Sequence, residues 1–139
     1  MDAQRFLEAQ EPVYTQVLQE LRNGDKTSHW MWFVFPQLRS LGRSATARFY
    51  GLDSVADAAL YLAHPVLGER LKACTQAVLQ HQDKSAHAIF HSPDDLKFRS
   101  CMTLFHLAAP QEPLFQTALA QFYGGEGDPL TLKQTVPLE

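Results

Sequence analysis

Apolar residues recur along this chain at helical rather than strand spacing. Tyr14, Val17, Leu18 and Leu21 stand at i, i+3, i+4 and i+7, the spacing of one buried helix face. The pattern returns in Val55, Ala58, Ala59 and Leu62, and again in Leu67, Leu71, Cys74 and Val78. Phe98, Met102, Phe105 and Ala109 form a further stripe, and Leu114, Ala118, Leu119 and Phe122 another. No two adjacent alternating runs flank an Asn-Gly or Asp-Gly turn, so no hairpin is predicted.

Capping and breaking residues set the ends. Asp2 is placed to cap a first helix that runs through Gln10. Glu11-Pro12 opens a second, with proline in the first turn, and Asn23-Gly24 closes it. The run Trp30 to Phe35 fits either a buried strand or a buried helix. Ser28 before it and the helical surroundings select a helix, stopped at Pro36. Ser44 starts a short helix ending at Tyr50-Gly51, Asp53 or Ser54 caps the next, and His64-Pro65 starts another. Gln80 to His91 reads as a loop, with room for one turn at 86–90. Ser92-Pro93-Asp94-Asp95 joins a cap, a first-turn proline and two acids near the positive end of the helix dipole. That helix runs to about Ala109. One more spans Gln111 to Phe122, and Asp128-Pro129 opens a last short segment before a tail that frays from 134. The sum is an all-α, single compact domain over 1–139 with about seven short-to-medium helices, several too short to persist without packing.

The chain has 139 residues, 45% of them apolar and 19% charged, enough for a real core and against global disorder. Twelve basic and fifteen acidic residues give a formal net charge of −3, which argues against a protein that coats nucleic acid or anionic lipid. No run reaches the ~20 apolar residues of a membrane span. Met1 to Phe6 lacks a basic region followed by an apolar stretch, so no signal peptide is expected. Cys74 and Cys101 lie far apart without metal-ligand spacing, and read as buried free thiols of a cytoplasmic protein. No metal site and no cofactor is expected. His87 and His91 are four apart, yet they read better as exposed loop histidines than as metal ligands.

Familiar signatures are absent: there is no P-loop, GxGxxG, HExxH or GxSxG. Gly124-Gly125-Glu126-Gly127 follows a helix and reads as a tight connection rather than a phosphate cradle. Arg39, Arg43 and Arg48 cluster about the Ser44 helix start, as an anion site or as a solvated basic turn. Three stretches carry more. In 26–37, Trp30, Trp32, Phe33 and Phe35 make a bulky wall with Lys26, His29 and Gln37 at its ends. In 64–71, His64 and Arg70 are polar. In 94–105, Asp94, Lys97 and Ser100 share a third of the helix circumference and Thr103 adjoins them. An aromatic wall with converging polar groups is how small-molecule pockets are lined. The structural alternative keeps Trp30, Trp32 and Phe33 as core, Asp94 and Asp95 on the helix dipole, and Ser100 and Thr103 bonded to their own helix.

The blocks KTSHWMWFVFPQL (26–38), LGRS (41–44), YLAHPVLGERL (61–71), PDDLKFRSCMTLF (93–105) and FYGGEGDPLTL (122–132) are similar to those of a family of small bacterial all-helical proteins of unknown function. Some members carry the automatic label "calpastatin", which nothing in these residues supports. The resemblance covers Phe6 to about Leu132 and implies a mainly helical single domain. It implies no established activity. Its polar motif positions correspond here to Lys26, His29, Gln37, His64, Arg70, Asp94, Lys97, Ser100, Thr103 and Asp128. Cys101 departs from the family pattern, which has a second serine there, so a mechanism needing two adjacent hydroxyls is in doubt.

Two functional classes follow. The first is a metal-independent hydrolase or glycosidase acting on an anionic or nucleotide-like ligand. His29 or Asp94 would transfer the proton, Lys97 and Arg70 would stabilise negative charge, and Trp30 or Trp32 would stack on a ring. The second is a non-catalytic module that binds a metabolite or a protein partner. Nucleic acid is disfavoured by charge, and no membrane partner is expected.

Overall fold

The computed structural model describes residues 1–135. Ten α-helices and one 3₁₀ turn form among them: α1 Ala3–Gln10, α2 Tyr14–Asn23, α3 Met31–Val34, the turn Arg39–Leu41, α4 Ala45–Phe49, α5 Val55–Ala63, α6 Pro65–Leu79, α7 Ala86–Phe90, α8 Asp94–Ala108, α9 Pro113–Tyr123 and α10 Pro129–Thr135. The fold is all-α, as the periodicity requires, but with ten helices rather than about seven. The short pieces α3, α4 and α10 fall where helices are expected, and α7 falls in the stretch expected to be a loop with room for one turn. The one β-bridge among the described residues pairs Leu38 with Leu52 in parallel. No helix of the described residues is long and apolar enough to cross a membrane.

Local chemistry explains most ends. Ser44, Ser54 and Ser85 each accept a hydrogen bond from the backbone N–H three residues on, satisfying an orphan donor of the first turn. Ser85 thereby starts α7 in the stretch expected to be a loop. Gly24 takes φ +69° after α2, a left-handed conformation that glycine adopts without a Cβ clash. Four starts differ from expectation. Ser92 does not cap α8, because Pro93 rather than Ser92 holds the cap position and no side-chain cap bond forms. Asp2 makes no side-chain cap and instead pairs with Arg5. Pro12 lies in the turn before α2, whose helix begins at Tyr14. Ser28 does not cap α3, because its hydroxyl is taken by Glu20. Gln134 and Thr135 complete α10; the rest of the tail expected to fray lies outside the described residues.

The long helix α8 is the axis of the fold and packs against α5, α7, α9 and α10. Phe98, Cys101, Met102, Leu104 and Phe105 on it are fully buried, and Val17, Leu21, Leu67, Leu71 and Val78 meet them from α2 and α6 within one core. The α5–α6 corner is tight. A Cβ at Gly68 would stand 2.0 Å from the Leu62 carbonyl oxygen. Rings fasten the end of the molecule that carries the site. Phe35 meets Phe90 and Phe98 edge-on with centroids 5.8 and 5.0 Å apart, and Phe90 stacks on Phe98 at 4.6 Å. One aromatic cluster thus joins the end of α3, the end of α7 and the first turns of α8.

Candidate functional site

The segment between α2 and α3 is wound around a buried carboxylate. Glu20, on the inward face of α2, accepts from Thr27 N at 2.8 Å, Ser28 N at 3.0 Å and Trp30 Nε1 at 3.0 Å, and from the Ser28 hydroxyl. Burial opposes its ionisation. The bonds from Ser28 Oγ, Thr27 N, Trp30 Nε1 and Ser28 N outweigh that penalty and hold the carboxyl down at about 2. The loop so shaped delivers Lys26 inward. Its backbone N–H bonds the Ile89 carbonyl, and its Nζ donates to Ser28 O at 2.6 Å and reaches Asp94 Oδ2 at 2.7 Å. The same ammonium lies 4.9 Å from the Trp30 ring centroid.

Asp94, first residue of α8, stands between two lysines. Lys97, one turn further along, approaches its Oδ1 at 3.5 Å and sits 5.4 Å over the Trp32 ring. Tyr123 anchors this first turn from α9 by donating to the Asp95 carbonyl at 2.5 Å, and burial, with the Asp95 charge next, raises its phenol well above the ordinary value. His91 enters the turn with φ +65° and ψ 175°, a region that L residues rarely occupy and that costs on the order of 1–3 kcal/mol. Its Nε2 pairs with Asp25 at 2.7 Å. His87, on α7, approaches Asp95 at 3.5 Å. Both histidines are exposed, and each has an acid partner.

These elements enclose a hollow of about 340 Å³ lined in part by Lys26, His29, Trp32, His91, Asp94 and Lys97. His29 is exposed and makes no hydrogen bond or ion pair among the described residues. A second hollow of about 680 Å³ adjoins it, with Pro93 and Lys97 common to both. Gln37, Arg43, Ser44, Ser100 and Asp128 supply its other polar groups.

The residues expected to converge therefore divide. Lys26, His29, Trp32, Asp94 and Lys97 share the smaller hollow; Gln37 and Ser100 line the larger. Trp30 is only 1% exposed and its indole N–H is committed to Glu20, so it cannot stack on a ligand. Thr103 is buried, donates to Arg99 O and accepts from Asp128 N; it fixes α10 to α8. His64 caps α6, its Nδ1 accepting from Val66 N and Leu67 N. Arg70 pairs with Glu11 at 2.8 Å and covers the Tyr14 ring. Neither lines the two hollows. Long-range pairing with Glu11 sets Arg70, of which residue type gives no sign, while a local cap at the start of α6 sets His64. Sequence reasoning missed Glu20 and His91. The available signal for Glu20 was a charge three residues after Val17 on a face otherwise apolar; His91 carried none. Among the described residues, no group of three or more His, Cys, Asp or Glu side chains is placed to hold a metal ion.

Comparison with known proteins adds kinship without an activity. The family model described as "Protein of unknown function (DUF1810)" matches residues 1–135. A solved structure of a conserved hypothetical protein from Mycobacterium tuberculosis is similar over 99% of this chain and 98% of its own, at 49% identity and a TM-score of 0.96. No functionally curated protein matches the chain significantly.

Proposed function

The chain belongs to the DUF1810 family of proteins of unknown function, and on that footing we propose that it is a small-molecule-binding protein whose smaller hollow takes an anionic, nucleotide-like ligand. The observation that carries this reading is the position of Lys97, 5.4 Å over the Trp32 ring and 3.5 Å from Asp94. Lys26 already engages Asp94 at 2.7 Å. Two ammonium groups against one carboxylate leave a net positive charge beside an aromatic face. That combination suits a planar ring carrying phosphate or carboxylate.

The enzymatic form of the reading is a metal-independent hydrolase or glycosidase. His29 is its proton carrier, because Asp94 is engaged from both sides by lysines. The same engagement supports the non-catalytic form, a metabolite- or protein-binding module, since it leaves the imidazole without a free carboxylate to work beside it. The free thiols Cys74 and Cys101 support a cytoplasmic setting, the mycobacterial neighbour supports a bacterial one, and the net charge of −3 weighs against nucleic acid.

The test is calorimetric and chromatographic, with a panel of nucleotides and ADP-ribose. Binding by the parent is expected to weaken about tenfold or more in Lys97→Ala, from loss of a charge-assisted contact. If product forms, His29→Ala should slow it by about 10²–10⁴ while binding persists. Ligand-dependent stabilisation without product establishes the non-catalytic form. Panel-wide silence, or equal binding by Lys97→Ala, removes the proposal.

A further inference from the structure

The larger hollow lies between Gln37–Ala47 on one side and the first turns of α8 on the other, with Asp128 and Leu130 closing it. Its wall is mostly hydrocarbon: Leu41, Ala47, Pro93, Leu96 and Leu130. Leu96 and Leu130 are 57% and 56% exposed, so this wall faces water at present. Among its polar groups, Ser44 is spent on the cap of α4 and Lys97 reaches Asp94. Ser100 is satisfied by the Leu96 carbonyl, and Asp128 Oδ2 by Thr131 N at 2.9 Å and Thr131 Oγ1 at 2.6 Å. Arg43 has no such partner. It makes no ion pair, hydrogen bond or ring contact among the described residues, whereas the nearby Arg39 is paired with Asp53 at 2.7 Å. At about 680 Å³ the hollow falls within the usual ~300–1,000 Å³ of small-ligand sites.

We infer that this larger hollow is a second binding site, taking a small amphipathic anion whose apolar body covers Leu41, Leu96 and Leu130 and whose negative head meets Arg43. Two physical terms act together there. Covering the leucines removes apolar surface from water, and the anion supplies the counter-charge that Arg43 lacks. The Asp128 carboxylate lines the same hollow and repels a misplaced anion, so the head group is confined to the Arg43 side of the site. An apolar amine of the same length meets the Arg43 guanidinium and the Lys97 ammonium there, against one carboxylate already bonded to Thr131, and is disfavoured. The inference goes beyond the proposed function and uses a different set of side chains, with Pro93 and Lys97 in common.

The experiment measures binding of butyrate, hexanoate, octanoate and octylamine to the intact protein by chemical-shift titration. Affinity is expected to rise about fourfold per added methylene, with octylamine not binding. Arg43→Gln is expected to weaken octanoate about tenfold, and Leu96→Gln with Leu130→Gln to abolish the chain-length gain. These three side chains lie at the surface, and the amine comparison needs no variant. Trp32→Ala and His29→Ala should leave octanoate affinity unchanged. Absence of octanoate binding overturns the inference, as does octylamine binding equally well, a flat chain-length series, or indifference to Arg43→Gln. Weakening by Trp32→Ala instead places the anion in the smaller hollow and overturns it also, while sparing the proposed function. Failure of nucleotides with success of octanoate has the opposite meaning.

Discussion

Glu20 shapes the site without touching a ligand. Four donors from residues 27–30 converge on its carboxylate, so its charge organises the loop that carries Lys26 and His29. Its folded-state value of about 2 lies below the unfolded value of 4.5. A depressed carboxyl stabilises the fold fully above the unfolded value and loses that stabilisation as pH falls through the folded one. The window is therefore pH 4.5 down to 2. Glu20→Gln is expected to cost about 1.5–3 kcal/mol at neutral pH and to flatten the acid limb of the stability profile, as urea titrations at several pH values will read. An unchanged acid limb would show that the loop does not depend on this charge. At this scale the sequence is half legible. Asp94 and Lys97 announce themselves by helical spacing, but a buried acid looks like any surface glutamate until its donors, distant in the loop, are folded onto it.

The elements obey their caps more closely than their lengths. Serines 44 and 54, glycine 24 and proline 65 mark ends that the structure keeps, because each solves a local problem of orphan groups or φ. Short pieces such as α3 and α7 are harder to read. Neither has enough turns to display a stripe, and both exist because Phe35, Phe90 and Phe98 pack together across the chain. The α5–α6 corner offers a sharp test. Gly68→Ala sets a methyl against the Leu62 carbonyl, 2.0 Å away before relaxation, and the obstacle is backbone rather than a flexible tip. A loss of about 1–3 kcal/mol is expected, read as a lowered urea midpoint with the slope unchanged. A neutral outcome would mean the two helices can part without cost.

For the whole molecule, burial of the two thiols sets an expectation. Burial raises Cys101 well above the ordinary thiol value and Cys74 to about 12, the latter against the pull of Tyr14 and Arg70. Native protein at pH 8 should therefore react with a disulfide reagent only as fast as the core opens, and both thiols should react at once in denaturant. Rapid native labelling would contradict a core built on α8. The all-helical class and the core stripes were legible because they rest on periodicity. Which motif residues meet was not. Arg70 and His64 stand in the same kind of motif as Lys97, yet His64 is spent on the local cap of α6 and Arg70 on a Glu11 carboxylate, and the latter pairing exists only once the chain has folded.

Lys97 borders both hollows, and one ammonium cannot answer two anions at full strength. If guests occupy the two chambers together, each diminishes the welcome of the other. The penalty must be the same whichever arrives first, since linkage is reciprocal. Crosstalk between neighbours would then need no hinge and no shift of backbone, only the swing of one flexible side chain.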